Sequence, residues 1–143
     1  LGKASATSVA TNLHLTDDET AIDAAIDALV SFGFTNLKEG IDLATAELDD
    51  LHVVHERPTI PDVMLIITDG FPTRPVGDPA GVAAVAADSA RAAGIEIFVV
   101  GVGVTASTET YLKADIADDS SHYVAAVDFD DILPALEDLA VCN

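Results

Sequence analysis

Asp69 follows directly on the apolar run Asp62-Val63-Met64-Leu65-Ile66-Ile67-Thr68, and Thr35 stands directly before Asn36, where a periodic apolar stripe begins. A carboxylate and a hydroxyl are oxygen donors, the kind that a hard divalent cation such as Mg²⁺ takes while it keeps several waters. Two such ligands supply only part of a shell. Each also has a plainer reading, Thr35 as a helix N-cap and Asp69-Gly70 as a turn. An Asp-Gly hairpin, however, needs a strand after it, and Phe71-Pro72-Thr73-Arg74-Pro75 is a poor one.

Other constellations carry less. His52 and His55 stand at i, i+3 and could touch one ion, but solvated histidines at a fraying helix end explain them better. Asp115, Asp118 and Asp119 with Asp128, Asp130 and Asp131 could attract Ca²⁺; capping and a solvated face account for them more simply. Gly101-Val102-Gly103 lacks the third glycine and the acidic residue of a dinucleotide fingerprint. There is no serine in a nucleophile elbow, no Cys-His arrangement and no phosphate loop, so the sequence predicts no enzyme.

The elements that must position these groups follow from periodicity. Thr7, Val9, Thr11 and Leu13 alternate as in a half-exposed strand. Thr16 and Glu19 have capping-box spacing, which predicts a helix from Asp17 to about Ser31 with Ile22, Ala25, Ile26 and Leu29 inward, ended by Gly33. Leu37, Ile41, Ala44, Leu48 and Leu51 stripe a second helix that fades near His55. The run Asp62 to Thr68 predicts a central strand buried on both faces. Asp69 to Pro79 is a Pro- and Gly-rich surface loop, and a third helix follows with Val82, Val85, Ala86, Ser89 and Ala93 on one side and Gly94 as its stop. Ile95 to Val100 is a second buried strand, Ser107 to Ala117 a short helix, His122 to Val127 a last strand and Asp130 to Val141 a last helix.

Strands separated by helices imply right-handed crossovers. The predicted fold is a three-layer, Rossmann-like (doubly wound) α/β sandwich with a mostly parallel central sheet, formed by residues 1–143 as one domain. Ligands bind such sheets outside the carboxyl ends of the strands, which directs attention to the loops Gly33 to Asn36, Asp69 to Pro79 and Gly101 to Ser107.

Gly33-Phe34-Thr35-Asn36-Leu37-Lys38-Glu39-Gly40-Ile41-Asp42-Leu43-Ala44, then Leu65-Ile66-Ile67-Thr68-Asp69-Gly70, then Ile97-Phe98-Val99-Val100-Gly101-Val102-Gly103 resembles, in order and spacing, the von Willebrand factor type A domain. The resemblance covers essentially the whole chain. It implies a metal-ion-dependent adhesion site for Mg²⁺ (or Mn²⁺ or Ca²⁺), with Thr35 and Asp69 as ligands, direct or through water. It further implies a protein partner that presents a carboxylate, with Phe34, Phe71, Arg74 and Asp78 as candidates for partner contact. Phe34 occupies a position where the family often has a second glycine, which places a bulky ring beside the ligands. The family's Asp-x-Ser-x-Ser loop is absent, and by the family pattern Leu1 to Ser5 corresponds to the end of the second strand. A sheet without its central first strand leaves buried backbone groups unpaired at about 1–3 kcal/mol each. The expectation is therefore that the natural protein continues upstream of Leu1 and that this domain is N-terminally incomplete.

Composition narrows the partners. With 25 acidic against 6 basic residues and a net charge of -19, the surface repels phosphate backbones and anionic headgroups, so nucleic acid is excluded. Half of the residues are hydrophobic, enough to fold. The longest near-continuous apolar run, Ile95 to Val104, is broken by glycines and is too short to span a bilayer, so no membrane insertion is expected. The one cysteine, Cys142, is either a spare thiol or half of a bridge. The resemblance to secreted domains favours a disulfide to a residue upstream of Leu1 and an extracellular or cell-surface setting. Two alternatives stand beside the adhesion module: a matrix or filament building block with a vestigial metal site, and an intracellular subunit of an ATPase or chelatase complex.

Overall fold

The computed structural model describes residues 2–4, 9–11, 14–29, 33–48, 61–132 and 134. Two short strands, β1 (Gly2–Ala4) and β2 (Val9–Thr11), pair antiparallel, with Lys3 opposite Ala10. Helices α1 (Glu19–Asp27) and α2 (Leu37–Leu48) follow. Then come β3 (Val63–Thr68), α3 (Pro79–Ala92), β4 (Glu96–Val102), α4 (Ala106–Tyr111) continued by a π turn over Leu112–Ile116, and β5 (Tyr123–Ala126). β3, β4 and β5 form a parallel sheet in that order, joined by the helical crossovers that the sequence predicts. The chain is an α/β fold with helices against a parallel sheet.

Burial corrects the choice of central strand. β4 is the strand covered on both faces: Ile97 and Val99 point into a core built with α2, α3 and the π turn, while Val100 and Val102 join Ala126, Val124 and Ile132 on the other side. In β3, Met64 and Thr68 are buried, but Val63, Leu65 and Ile67 are 49%, 43% and 46% exposed, and among the described residues only β4 pairs with it. An apolar run is compatible with double burial; whether it is achieved depends on layers contributed from elsewhere in the chain.

The α3 stripe is also rotated from the expected one. Ala83, Ala86, Ala87 and Ala90 are buried at i, i+3, i+4, i+7, whereas Val85 is 64% exposed and Ser89 faces solvent. Alanine's short side chain lets α3 sit close to α2 and the π turn, and this close approach outweighs the larger transfer energy of one valine. Gly94, at φ 91°, stops the helix as read.

In α1 no residue is buried, and Ile26 and Leu29 are substantially exposed. Its N-cap is Asp18, whose carboxylate accepts from the Ala21 N–H at 3.2 Å, rather than Thr16, whose hydroxyl accepts from the Asp18 N–H. Asp wins because it stands one residue before the first helical turn and carries the charge that a helix N-terminus favours. The α2 stripe is as expected: Leu37 and Ile41 are buried and Ala44 and Leu48 pack against the core. Leu51, His52, His55, the last helix beyond residue 134 and Cys142 lie outside the described residues.

The last crossover is helical to Tyr111 and then widens, with the Ala117 N–H reaching Leu112 O at 2.8 Å. Leu112 and Ile116, four residues apart on this segment, are fully inside the core. Both tyrosines of the chain border this region. Burial, then the charges of Asp115 and Asp78, pushes the Tyr111 hydroxyl up to about 12, and burial, then Glu109, raises Tyr123. A raised folded-state value means that their contribution is complete below pH ~10 and is lost as pH rises towards about 12 for Tyr111. Spectrophotometric titration is expected to show little tyrosinate at pH 10 while the circular dichroism stays native; ordinary half-titration there in the folded protein contradicts the burial of both rings.

Candidate metal centre

The carboxyl end of β3 and the N-terminus of α2 meet through the backbone. Thr35 O accepts from the Thr73 and Arg74 N–H groups at 2.8 and 3.1 Å, and the Thr35 N–H donates to the Thr73 hydroxyl at 3.1 Å. This clamp ties the Asp69 to Pro79 loop to the segment before α2. It also brings the Thr35 hydroxyl beside Gly70: a Cβ at Gly70 would lie 3.9 Å from Thr35 Oγ1. Thr68, buried at the end of β3, donates its hydroxyl to Gly70 O at 3.2 Å and so fixes the turn that presents Asp69.

The capping role falls to Asn36. Its side chain accepts from the Glu39 N–H at 3.4 Å and donates to the Glu39 carboxylate at 2.7 Å, a reciprocal arrangement of the capping-box kind. Thr35, the residue before it, is thereby released, and among the described residues its hydroxyl makes no hydrogen bond. A half-buried hydroxyl without a capping duty, beside the loop of an exposed carboxylate, suits a hard oxygen-seeking cation.

A cation–π contact and an aromatic pair flank this point. Phe34 lies under the Arg74 guanidinium, 3.6 Å from Cζ to the ring centroid, a cation–π contact. Phe71 packs on Tyr111 with centroids 4.9 Å apart, and the Tyr111 hydroxyl donates to Ala80 O. A hollow of about 390 Å³ beside them is lined by Asn36, Lys38, Glu39, Arg74, Pro75 and Val76. Asp78 stands at the end of the same loop, and its charge is felt at the Tyr111 hydroxyl. Its carboxylate caps α3, accepting from the Gly81 N–H at 2.9 Å, a bond worth about 1 kcal/mol.

At the opposite end of the sheet the structure assembles residues that sequence spacing does not bring together. His122 Nε2 lies 2.7 Å from Glu96 Oε1 and Nδ1 lies 3.0 Å from Asp119 Oδ1. The Asp119 hydrogen bond, then Glu96, raises the proton affinity of His122 against its partial burial. Asp119 itself, held chiefly by the Ser121 hydroxyl and then His122, titrates far below the usual carboxylate range. It caps the turn at Ser120–His122, and Asp128 accepts from the Asp130 N–H, in keeping with the capping reading of the acidic cluster.

A parallel sheet with helices against it, and with Thr35 and Asp69 in the loops at its carboxyl end, is an α/β fold of the open-sheet class. The model of the von Willebrand factor type A domain matches residues 4–139, and the chain belongs to that family. No curated protein matches it. Among solved structures, proximal thread matrix protein 1 from the mussel byssus superimposes with a TM-score of 0.72 at 18% identity over 94% of this chain and 34% of its own; a related structure of that protein has a zinc-occupied MIDAS motif. The pilus adhesin SpaC from Lactobacillus rhamnosus GG gives 0.71 at 15% identity over 85% of this chain and 20% of its own. BatB, a conserved hypothetical protein from Bacteroides thetaiotaomicron, gives 0.63 at 20% identity over 95% and 75%. The chain thus spans about a third of the thread matrix protein's length and a fifth of the adhesin's. Among the described residues no helix is long and apolar enough to cross a membrane.

Proposed function

We propose that this domain is a non-catalytic, extracellular protein-binding module whose contact with its partner depends on a divalent cation held by Thr35 and Asp69. The observation that carries the reading is the placement of the Thr35 hydroxyl, free of capping, beside the loop that presents Asp69. When bound, Mg²⁺ or Mn²⁺ supplies a position for a carboxylate of the partner. The chain's own residues do the rest. The Thr35–Thr73 clamp holds the two ligands in register, Arg74 on Phe34 and Phe71 on Tyr111 supply a rim for specificity, and Asp78 steadies the loop by capping α3. Likeness to a matrix protein and to a pilus adhesin supports the adhesive, extracellular setting.

Peptide selection tests the reading without an identified partner. Random peptides are selected on the full natural chain in Mn²⁺, and the expected binders contain Asp or Glu and are released by EDTA. Binders without a carboxylate, or insensitive to chelation, refute the reading. The name of the thread matrix protein favours a second reading, a matrix building block; assembly that survives chelation is its signature.

A further inference from the structure

Glu96 opens β4, Asp118 follows the π turn, and His122 closes the short turn that leads into β5. One ligand atom from each, two carboxylate oxygens and an imidazole nitrogen, lie within 4.8 Å of one another. The cluster is separated from Thr35 and Asp69 by the length of β3 and β4, about 20 Å at about 3.3 Å per residue. We propose that Glu96, Asp118 and His122 form a second cation site that takes a borderline transition ion of the Zn²⁺ class rather than Mg²⁺ or Ca²⁺.

The donor set chooses the ion. An imidazole nitrogen suits zinc and its neighbours, whereas magnesium and calcium take shells of oxygen. Three protein ligands leave a fourth tetrahedral position for water or for a donor from a partner. The imidazole is oriented as metal-binding histidines are: its Nδ1 faces the Asp119 carboxylate at 3.0 Å, which directs Nε2 towards Glu96, and its ring lies on Phe98 with centroids 4.4 Å apart.

The backbone of the cluster is anchored. The Glu96 N–H donates to Asp62 O at 2.9 Å and the Asp118 N–H to Ile97 O at 3.2 Å. Arg91 ties down the Ile116 and Ala117 carbonyls at 2.9 and 3.3 Å, and its other arm bonds Asp88. Its guanidinium is 3.9 Å from Asp118, so it offsets one of the three local carboxylates, Glu96, Asp118 and Asp119. The two remaining negative charges match one divalent ion and a neutral imidazole. Donors around tetrahedral zinc stand about 3.3 Å apart, so the three ligand atoms, now within 4.8 Å of one another, would draw together on binding. With His122 17%, Asp118 25% and Glu96 36% exposed at their side chains, the site is shielded yet open to entry.

Zinc binding is measured by calorimetry on the full chain carrying Asp69→Ala, in excess Mg²⁺, so that the other end of the sheet does not contribute. One zinc ion is expected to bind, with a tetrahedral visible spectrum when Co²⁺ replaces it. His122→Ala and Glu96→Gln, added separately, are each expected to weaken binding about tenfold or more. Glu96→Gln keeps the side chain's shape and decides the matter where His122→Ala fails to fold. Zinc affinity unchanged in either folded variant, or no zinc binding to the Asp69→Ala parent, overturns the proposal.

Discussion

On the proposed function, Mn²⁺ is expected to raise the thermal stability of the full chain, and replacing Asp69 by alanine to abolish that rise. An ion that binds only the folded state at about 100 times its dissociation constant adds about 2.7 kcal/mol. For a domain of 143 residues that is an upward shift of about 5–10 °C in Tm. Asp69 is exposed, so its removal should change the stability of the ion-free protein by no more than about 0.5 kcal/mol. The two effects separate cleanly: melts in EDTA should superimpose for parent and variant, and melts in Mn²⁺ should part. Thr35→Val, which keeps the shape and loses the hydroxyl, should retain only a fraction of the shift. Asn36→Ala gives the contrast. It removes the cap of α2, about 1 kcal/mol, and should lower both curves alike while leaving the response to Mn²⁺ in place. A full Mn²⁺ shift in Asp69→Ala removes Asp69 from the ligand set and the proposed function with it.

Why these two residues are legible in the sequence, and the second cluster is not, has a physical answer. Thr35 and Asp69 stand at the ends of elements whose residues announce them, a stripe of large apolar side chains in α2 and a continuous apolar run in β3. Their neighbours fix where the chain turns. Glu96, Asp118 and His122 belong to three elements, and Glu96 meets His122 only because β4 and β5 lie side by side, 26 residues apart in the chain. No short spacing encodes that meeting. His122 does stand two residues after an Asp-Asp-Ser turn, but this reads equally as a solvated loop. The misjudged faces have a related cause. In α3 hydrophobicity favours the side with Val82 and Val85, whereas the neighbouring layer admits only the alanines. In β3 and β4 the sequence shows two similar apolar runs, and only the pairing order shows which has a strand on each side. Periodicity carries the elements and their ends; the layers that meet each face come from contacts far apart in the chain.

Gly101→Ala is expected to destabilise the fold by about 1–3 kcal/mol, through an overpacked contact with a ring that has nowhere to retreat. A Cβ at position 101 would lie 2.3 Å from the Tyr123 hydroxyl oxygen and 3.0 and 3.1 Å from the ring atoms Cζ and Cε2. Tyr123 is only 6% exposed, shares the core with Ile97, Val99, Leu112 and Ile116, and has the Lys113 ammonium 4.9 Å from its ring centroid. Its hydroxyl is buried without a hydrogen-bond partner among the described residues. Removing an unsatisfied group recovers its desolvation cost, so Tyr123→Phe alone should be neutral or stabilising. It also deletes the atom that the new methyl group meets first. The double variant should therefore be more stable than the sum of the single effects allows, with a coupling of about 0.5–3 kcal/mol in urea denaturation. Relief stays partial, because Cζ and Cε2 remain in phenylalanine. The same strain reaches the proposed cation site: Gly101 pairs with Thr68, whose hydroxyl holds the turn at Gly70. Gly101→Ala should accordingly weaken the Mn²⁺ stabilisation, and Tyr123→Phe should restore part of it. Strictly additive single effects would show that the glycine is present for some reason other than the close approach of the tyrosine.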